Sequence, residues 1–261
     1  MMRILLEAPI LSKSGYGEHS RLVYESLKSR KDLEIFVNPL NWGATSSGTY
    51  SKDIEQCISN YKIKKSIHEK NKTKEVYDLH IFVGLPNQFK NKAKYSICVT
   101  AGIETDRVAP EWLASIRDNR IGKIIVPSEH AKKGFSVKYV EFENDQSGKP
   151  IQNSGKQLLN TAAIEVVPYP VKEIVTESKK INLNLDTDFN FLQIALLGQR
   201  KNIEKSIKVF VDTFRNNPSV GLVLKTARAK SSIVDRYMTK KNIEDFVTTL
   251  GAKKCKIYLL H

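Results

Sequence analysis

Cysteine is scarce in this chain of 261 residues. Cys57, Cys98 and Cys255 are odd in number, far apart and free of any CxxC spacing. That excludes a disulfide framework and a zinc knuckle. Cys98 stands in an apolar run and reads as a small core residue. The five histidines, at 19, 68, 80, 130 and 261, have no metal-ligand spacing to one another and form no HExxH, so no metal site is expected. There is no Walker A motif, which disfavours a P-loop nucleotidase. No uninterrupted apolar run is long enough to span a bilayer. Met1 to Pro9 is too short, and at Glu7 too acidic, for a signal peptide. A cytoplasmic protein is expected. Acidic residues are also in deficit: 28 Asp+Glu stand against 42 Lys+Arg, a formal net charge of +14. Such a surplus attracts polyanions: nucleic acid, anionic membrane or phosphorylated ligands. The lysines are dispersed, however, and no basic tail, zinc finger or RRM signature gathers them. No specific nucleic-acid partner is expected.

What is present is an ordinary globular composition, 41% hydrophobic and 27% charged, arranged as apolar runs alternating with helical patterns. Strands are expected at Arg3–Pro9, Leu33–Val37, Leu79–Val83, Tyr95–Thr100, Lys123–Val126 and Ile164–Val171. Helices are expected at 18–30 and 53–70, from Pro110, which suits a first helical turn, and from the cap residue Ser128. Residues 141–163 are polar and aperiodic and read as an insertion or hairpin tip. A polar stretch at 173–188 makes the best linker. A second β–α pattern follows: strands at Phe189–Gly198, Val220–Lys225 and Lys256–Leu260, a helix capped by Asn202 with Ile203, Ile207, Phe210, Val211 and Phe214 on one face, and another capped by Ser231 or Ser232. The fold class is therefore α/β with mostly parallel sheets, in an amino-terminal lobe (1–172), a linker (173–188) and a carboxy-terminal lobe (189–261).

The candidate site residues cluster at strand ends, where open α/β sheets bind ligands. Ser14-Gly15-Tyr16-Gly17 joins the first strand to the first helix, so Gly15, Tyr16 and Gly17 are candidates to approach a substrate anion. Ser20 stands where a dinucleotide fingerprint needs its third glycine, which argues against NAD. His19, just past the glycines, is a candidate general base; the plainer alternative is a helix-surface histidine. Glu104, Thr105 and Asp106 follow the fourth strand, and Ser128 and Glu129 the fifth; each group reads either as site or as helix-entry charge. Arg200, Lys201 and Lys225 stand at adjacent strand ends of the second pattern and are candidates to hold a diphosphate.

The stretches SGYGEHSRLVYESL, AGIETDRVAPEWL with IIVPSEHAKKGF, IEVVPYPV, and RKNIEKSIKVF with LVLKT make the chain resemble the GT-B glycosyltransferases of the glycosyltransferase 4-like group over nearly its whole length. The resemblance implies two Rossmann-like lobes, the first holding mainly the acceptor and the second mainly a nucleotide sugar. It implies transfer of a sugar from a nucleotide-diphosphate sugar, a co-substrate rather than a cofactor, to a glycan, lipid or other acceptor. Retention of configuration and independence of metal are implied with it. Gly15 and Gly17 would meet the donor phosphates; Arg200 and Lys201 would match the family's basic pair, with Lys225 in support. The family often carries an arginine soon after the first glycine of this lobe; here Gln199 follows Gly198 and Arg200 is offset. Measured against the family, the second lobe is short. The expectation is an incomplete form, inactive alone, whose open sheet favours self-association; peripheral membrane contact stays open. The alternative is a non-catalytic Rossmann-type protein binding a nucleotide or nucleic acid.

Overall fold

The computed structural model describes residues 1–73, 77–152, 154–171, 182–229 and 232–260. The greater part of the expected linker, Ser231 and His261 lie outside the described residues. The chain divides into two compact units, Met1–Trp42 with Ser47–Lys172, and Gly43–Ser46 with Glu173–His261.

The first unit is built on a six-stranded sheet in which every neighbouring pair is parallel. Its strands are β1 (Met2–Ala8), β2 (Leu33–Pro39), β3 (Tyr77–Val83), β4 (Ala93–Val99), β5 (Lys123–Val126) and β8 (Ala163–Val166). They lie in the order β2-β1-β3-β4-β5-β8. The chain runs outward from β1 to β2 and then resumes on the other side at β3, so the strand order reverses between β1 and β3. In open parallel sheets that reversal opens a crevice beyond the carboxyl ends of the strands. The strands read as near-continuous apolar runs because both faces are covered. On one face Ile4, Leu6, Ala8, Ile81, Val83 and Val99 meet Tyr24 of α1 (Gly15–Lys28) and Ile54 and Ile58 of α2 (Lys52–Lys70). On the other, Phe82, Cys98, Ile124 and Val126 meet Phe89, Phe135 and the Leu113 and Ile116 side chains of α3 (Pro110–Asp118). Each buried Val, Leu, Ile or Phe side chain among them contributes about 1.5–3 kcal/mol. The polar insertion forms an antiparallel pair, β6 (Tyr139–Glu141) with β7 (Lys156–Leu158).

The second unit holds a parallel three-stranded sheet in the order β11-β10-β9, from β9 (Phe189–Ile194), β10 (Val220–Lys225) and β11 (Lys256–Leu260). Its helices α5 (Ile203–Phe214) and α6 (Ile233–Thr249) share one apolar cluster with Leu222 and Leu224. On the opposite face Leu192 and Ile194 are 64% and 66% exposed.

Several expected boundaries are corrected. The first helix begins at Gly15, capped by Ser14, so both glycines belong to its first turn and not to the loop before it. β8 stops at Val166 and β9 at Ile194, although single backbone bonds from Val167 to Val126, from Ala195 to Lys225 and from Leu197 to Ala227 still follow them. Asn202 is not a side-chain cap: it sits in the left-handed region (φ 46°, ψ 48°) after a short 3-10 turn, Gln199–Lys201. Ser128 does cap its helix, α4 (Glu129–Gly134), and Ser232 caps α6. Among the described residues no helix is long and apolar enough to cross a membrane.

Candidate functional site

Strand β1 ends at Ala8, and the following loop turns into α1 at the reversal of strand order. The loop is held from within. Arg21, one and a half turns into the helix, donates from Nη1 to the carbonyls of Ile10 (2.8 Å) and Ser12 (3.1 Å). Its Nη2 pairs with Glu18 at 2.7 Å, and its guanidinium lies 3.9 Å above the Tyr50 ring. Ser14 Oγ accepts the Gly17 amide at 3.1 Å, closing the helix start. Gly17 is buried, and a Cβ there would lie 2.0 Å from the Ser12 carbonyl oxygen. Its lack of a side chain lets helix and loop touch. At Gly15 a Cβ would meet nothing within 4 Å. The two glycines thus differ: one is needed for packing, and one leaves backbone open at the helix start.

Tyr16 reaches from this first turn across to the carboxyl end of β4. Its hydroxyl accepts the Ala101 amide at 3.1 Å and shares a hydrogen bond with Thr100 Oγ1 at 3.2 Å. Burial pushes the Tyr16 hydroxyl pKa up, against the lowering effect of those two partners. The ring lies 4.2 Å, centroid to centroid, from Trp42, which follows β2. Three turns' worth of sequence thus meet on one edge: the loop after β1, the loop after β2 and the loop after β4. The segment after β8 brings a fourth. Its Tyr169 packs edge-on to His19, 4.8 Å between centroids.

His19 is half-buried, and burial lowers its pKa from the ordinary histidine value, which favours the neutral ring. Its Nδ1 is shielded from solvent and has no hydrogen-bond partner among the described residues. A neutral imidazole with an unsatisfied nitrogen can take a hydrogen bond or a proton from a substrate hydroxyl. This is the feature of the edge most suited to chemistry.

The other expected residues of this unit are placed differently. Asp106 is exposed and pairs with Arg107 at 3.2 Å, and that hydrogen bond holds its pKa down. Thr105 Oγ1 donates to the Arg107 carbonyl, while the Thr105 carbonyl lies 3.0 Å from His130 Nε2. Glu104 is exposed in the same loop. These contacts tie the 104–107 loop to α4, with Asp106 turned to its neighbour and not to His19. Ser128 Oγ is taken up by the Ala131 amide, and Glu129 is an exposed first-turn residue, the helix-entry reading of that pair.

In the second unit the expected cations separate. Lys201 lines a hollow of about 470 Å³ with Phe191, Lys205, Phe210 and Phe214. Lys225, at the carboxyl end of β10, lines another of about 240 Å³ with Thr226 and Arg236. The amides of Lys201 and Asn202 both bond the Gly198 carbonyl, at 3.0 and 3.2 Å, so neither is spare for an anion. Arg200 stands in the same 3-10 turn and is exposed. Sequence reasoning passed over Arg21, Trp42, Thr100 and Tyr169 in the first unit, and Thr226 and Arg236 in the second. Arg21, Tyr169 and Thr226 do lie in stretches that carry the resemblance, SGYGEHSRLVYESL, IEVVPYPV and LVLKT, which was the signal available for them. Among the described residues no group of three or more His, Cys, Asp or Glu could hold a metal ion. The sequence matches no protein-family model and no curated protein.

Proposed function

We propose that this protein is a glycosyltransferase of the GT-B kind, moving a sugar from a nucleotide-diphosphate sugar to an acceptor hydroxyl. The observation that carries the reading lies at the carboxyl edge of the six-stranded parallel sheet: a Tyr16–Trp42 ring pair in one place, and Tyr169 edge-on to His19, whose Nδ1 is unsatisfied, in another. Aromatic faces beside a neutral hydrogen-bonding ring suit a sugar, which presents apolar C–H faces and hydroxyl edges. The stretches that resemble the family fall at this edge and at the carboxyl ends of β9 and β10. In the proposed reaction the acceptor oxygen bonds to the anomeric carbon as the bond from that carbon to the leaving diphosphate breaks, and protein cations stabilise the departing charge. His19 binds the acceptor hydroxyl or takes its proton. Retention of configuration and independence of metal belong to the same reading.

The test is a screen of UDP- and GDP-sugars with release of the nucleotide diphosphate as readout, on wild type and His19→Ala. Loss of positioned proton transfer costs about 10²–10⁴-fold in rate, so the variant should fall by at least 100-fold while its thermal unfolding stays near that of wild type. Release at the wild-type rate by His19→Ala would remove that residue's role. Because the chain is expected to be inactive alone, absence of release is not decisive; no release from any sugar nucleotide together with no binding of UDP or GDP would overturn the reading as a whole.

A further inference from the structure

The outer edge of β11 forms the floor of a groove in the second unit. Among the described residues β11 pairs only with β10, so no strand lies on the other side of Lys256–Leu260. The N–H and C=O groups along such an edge are a template for a further strand. Here the template lies between two walls. Ile257 and Leu259 of β11 join the apolar cluster under α6, whose Ile243 and Val247 make the first wall. Tyr258, between them, turns to the opposite face, where its hydroxyl accepts the Asp186 amide at 3.1 Å. That bond holds the stretch before β9 alongside the strand, and its Leu183 and Leu185 make the second wall. The space enclosed is about 660 Å³, and Leu183 is 40% exposed at its rim. Lys240 and Lys253 stand on the groove, and Lys256 opens the strand. Glu244, beside them, is paired with Lys240 at 3.7 Å.

We propose that this groove binds an extended acidic peptide of a partner protein, which adds a fourth strand beside β11. A strand laid there sends alternate side chains to opposite faces. One set meets Ile243 and Val247, and the other meets Leu183 and Leu185. The edge supplies affinity through backbone hydrogen bonds, and the two walls supply selection. Charge decides among the occupants. A second copy pairing β11 with β11 would bring the lysines of two chains together, and like charges facing each other across strands repel. A nucleic acid would satisfy the lysines but brings no strand backbone to the edge and no apolar side chains to the walls. A peptide with apolar residues at alternate positions and Asp or Glu near its ends satisfies the edge, the walls and the lysines together. The inference goes beyond the glycosyltransferase reading and does not depend on it.

The experiment is selection of a displayed library of random short peptides on the full chain, followed by fluorescence anisotropy with the enriched peptides made synthetically. Those peptides should alternate apolar residues and carry Asp or Glu. Methylating one backbone nitrogen at a time should cut affinity at least tenfold at every second position, the period of a strand paired along one edge. Lys240→Glu combined with Lys253→Glu should weaken binding at least tenfold, and a peptide with its acids changed to lysine should recover it. Leu183→Ser should weaken binding several-fold. Lys52→Glu combined with Lys62→Glu on α2 makes the same change of net charge and should bind as wild type does. Circular dichroism melts of each variant separate loss of binding from loss of fold. Failure to enrich any peptide, or enriched peptides that bind the Lys240→Glu, Lys253→Glu double variant as tightly as wild type, would overturn the proposal. So would methylation losses without the two-residue period. A wild-type dimer in light scattering that Leu183→Ser abolishes and the peptide does not displace would give the edge to a second copy, and would overturn it too.

Discussion

Gly15 and Gly17 are one residue apart, yet opposite outcomes are expected of them. At Gly17 a Cβ would lie 2.0 Å from the Ser12 carbonyl oxygen and 2.9 Å from its carbon. Those are backbone atoms that Arg21 and the helix cap hold in place, so the helix or the loop must move. Gly17→Ala should lower stability by about 1–3 kcal/mol, the usual cost of forcing a methyl into a packed place. Gly15→Ala meets open space and should be neutral or stabilising by up to about 1 kcal/mol, since alanine is the better helix former. Urea midpoints of the two variants check this; equal midpoints would contradict the geometry. Arg21 shows the same dependence on context. Alone it is an exposed-looking helix cation, and in place it binds two carbonyls and an aromatic face.

At the scale of an element, β1 carries a charge through the middle of a sheet. Glu7 is 4% exposed, with neighbours in register on both sides, Asn38 on β2 and Phe82 on β3. Its carboxylate accepts a hydrogen bond from Asn38 Nδ2 and one from Lys92 Nζ at 2.6 Å, and lies 2.8 Å from His80 Nε2. Burial alone would raise its pKa; the His80 and Lys92 contacts outweigh burial and hold it at about 2, down from 4.5. A folded-state pKa below the unfolded one means the stabilisation is complete above pH 4.5 and is lost as pH falls toward 2. The shift corresponds to about 3 kcal/mol. Wild type should therefore lose about that much more stability between pH 5 and pH 2 than Glu7→Gln does, as read by urea unfolding at each pH. Parallel pH profiles for the two would show that the carboxylate is not held as described. The same substitution should lower stability at pH 7, because it weakens the partner left to the half-exposed Lys92.

For the whole molecule the dominant number is the net charge of +14. Part of the charge is spent in surface pairs dispersed over both units: Lys28 with Asp53, Lys65 with Glu69, Lys156 with Glu143, Lys208 with Asp212, Lys240 with Glu244. Exposed pairs of this kind are worth roughly 0–1 kcal/mol each. Dispersed cations attract polyanions without reading a sequence. Duplex and single-stranded probes should bind weakly by fluorescence anisotropy near physiological salt, with affinity that rises with length and falls steeply with added salt. Submicromolar binding that discriminates between sequences would favour a nucleic-acid function over the one proposed.

The strand and helix pattern was legible because a parallel β–α unit writes itself locally. Apolar runs mark strands covered on both faces, and proline or serine marks the helix starts. Thus β5, β10 and β11 begin and end at the expected residues, and α3 starts at Pro110. Boundaries failed where geometry depends on a neighbour. The helix took in Gly15 because Ser14 caps it, and Asn202 went left-handed because a 3-10 turn precedes it. The edge of the sheet on which candidate residues fall follows from the β–α order and was likewise readable. Which of them meet was not. His19 touches Tyr169, and Tyr16 touches Thr100 and Trp42, because β4 lies two strands from β1 and the chain after β8 returns along the edge. Lys201 and Lys225 part because the chain stays beside the β10 end as far as Leu197 and only then enters the 3-10 turn that carries Lys201, while Arg236 comes to Lys225 from the following helix. The sequence by itself determined the α/β class, the parallel strands and the edge on which the candidate residues fall, since these follow from periodicity along the chain. The tertiary structure alone decided the partners of each side chain, since strand order and loop return bring together residues that no local spacing relates.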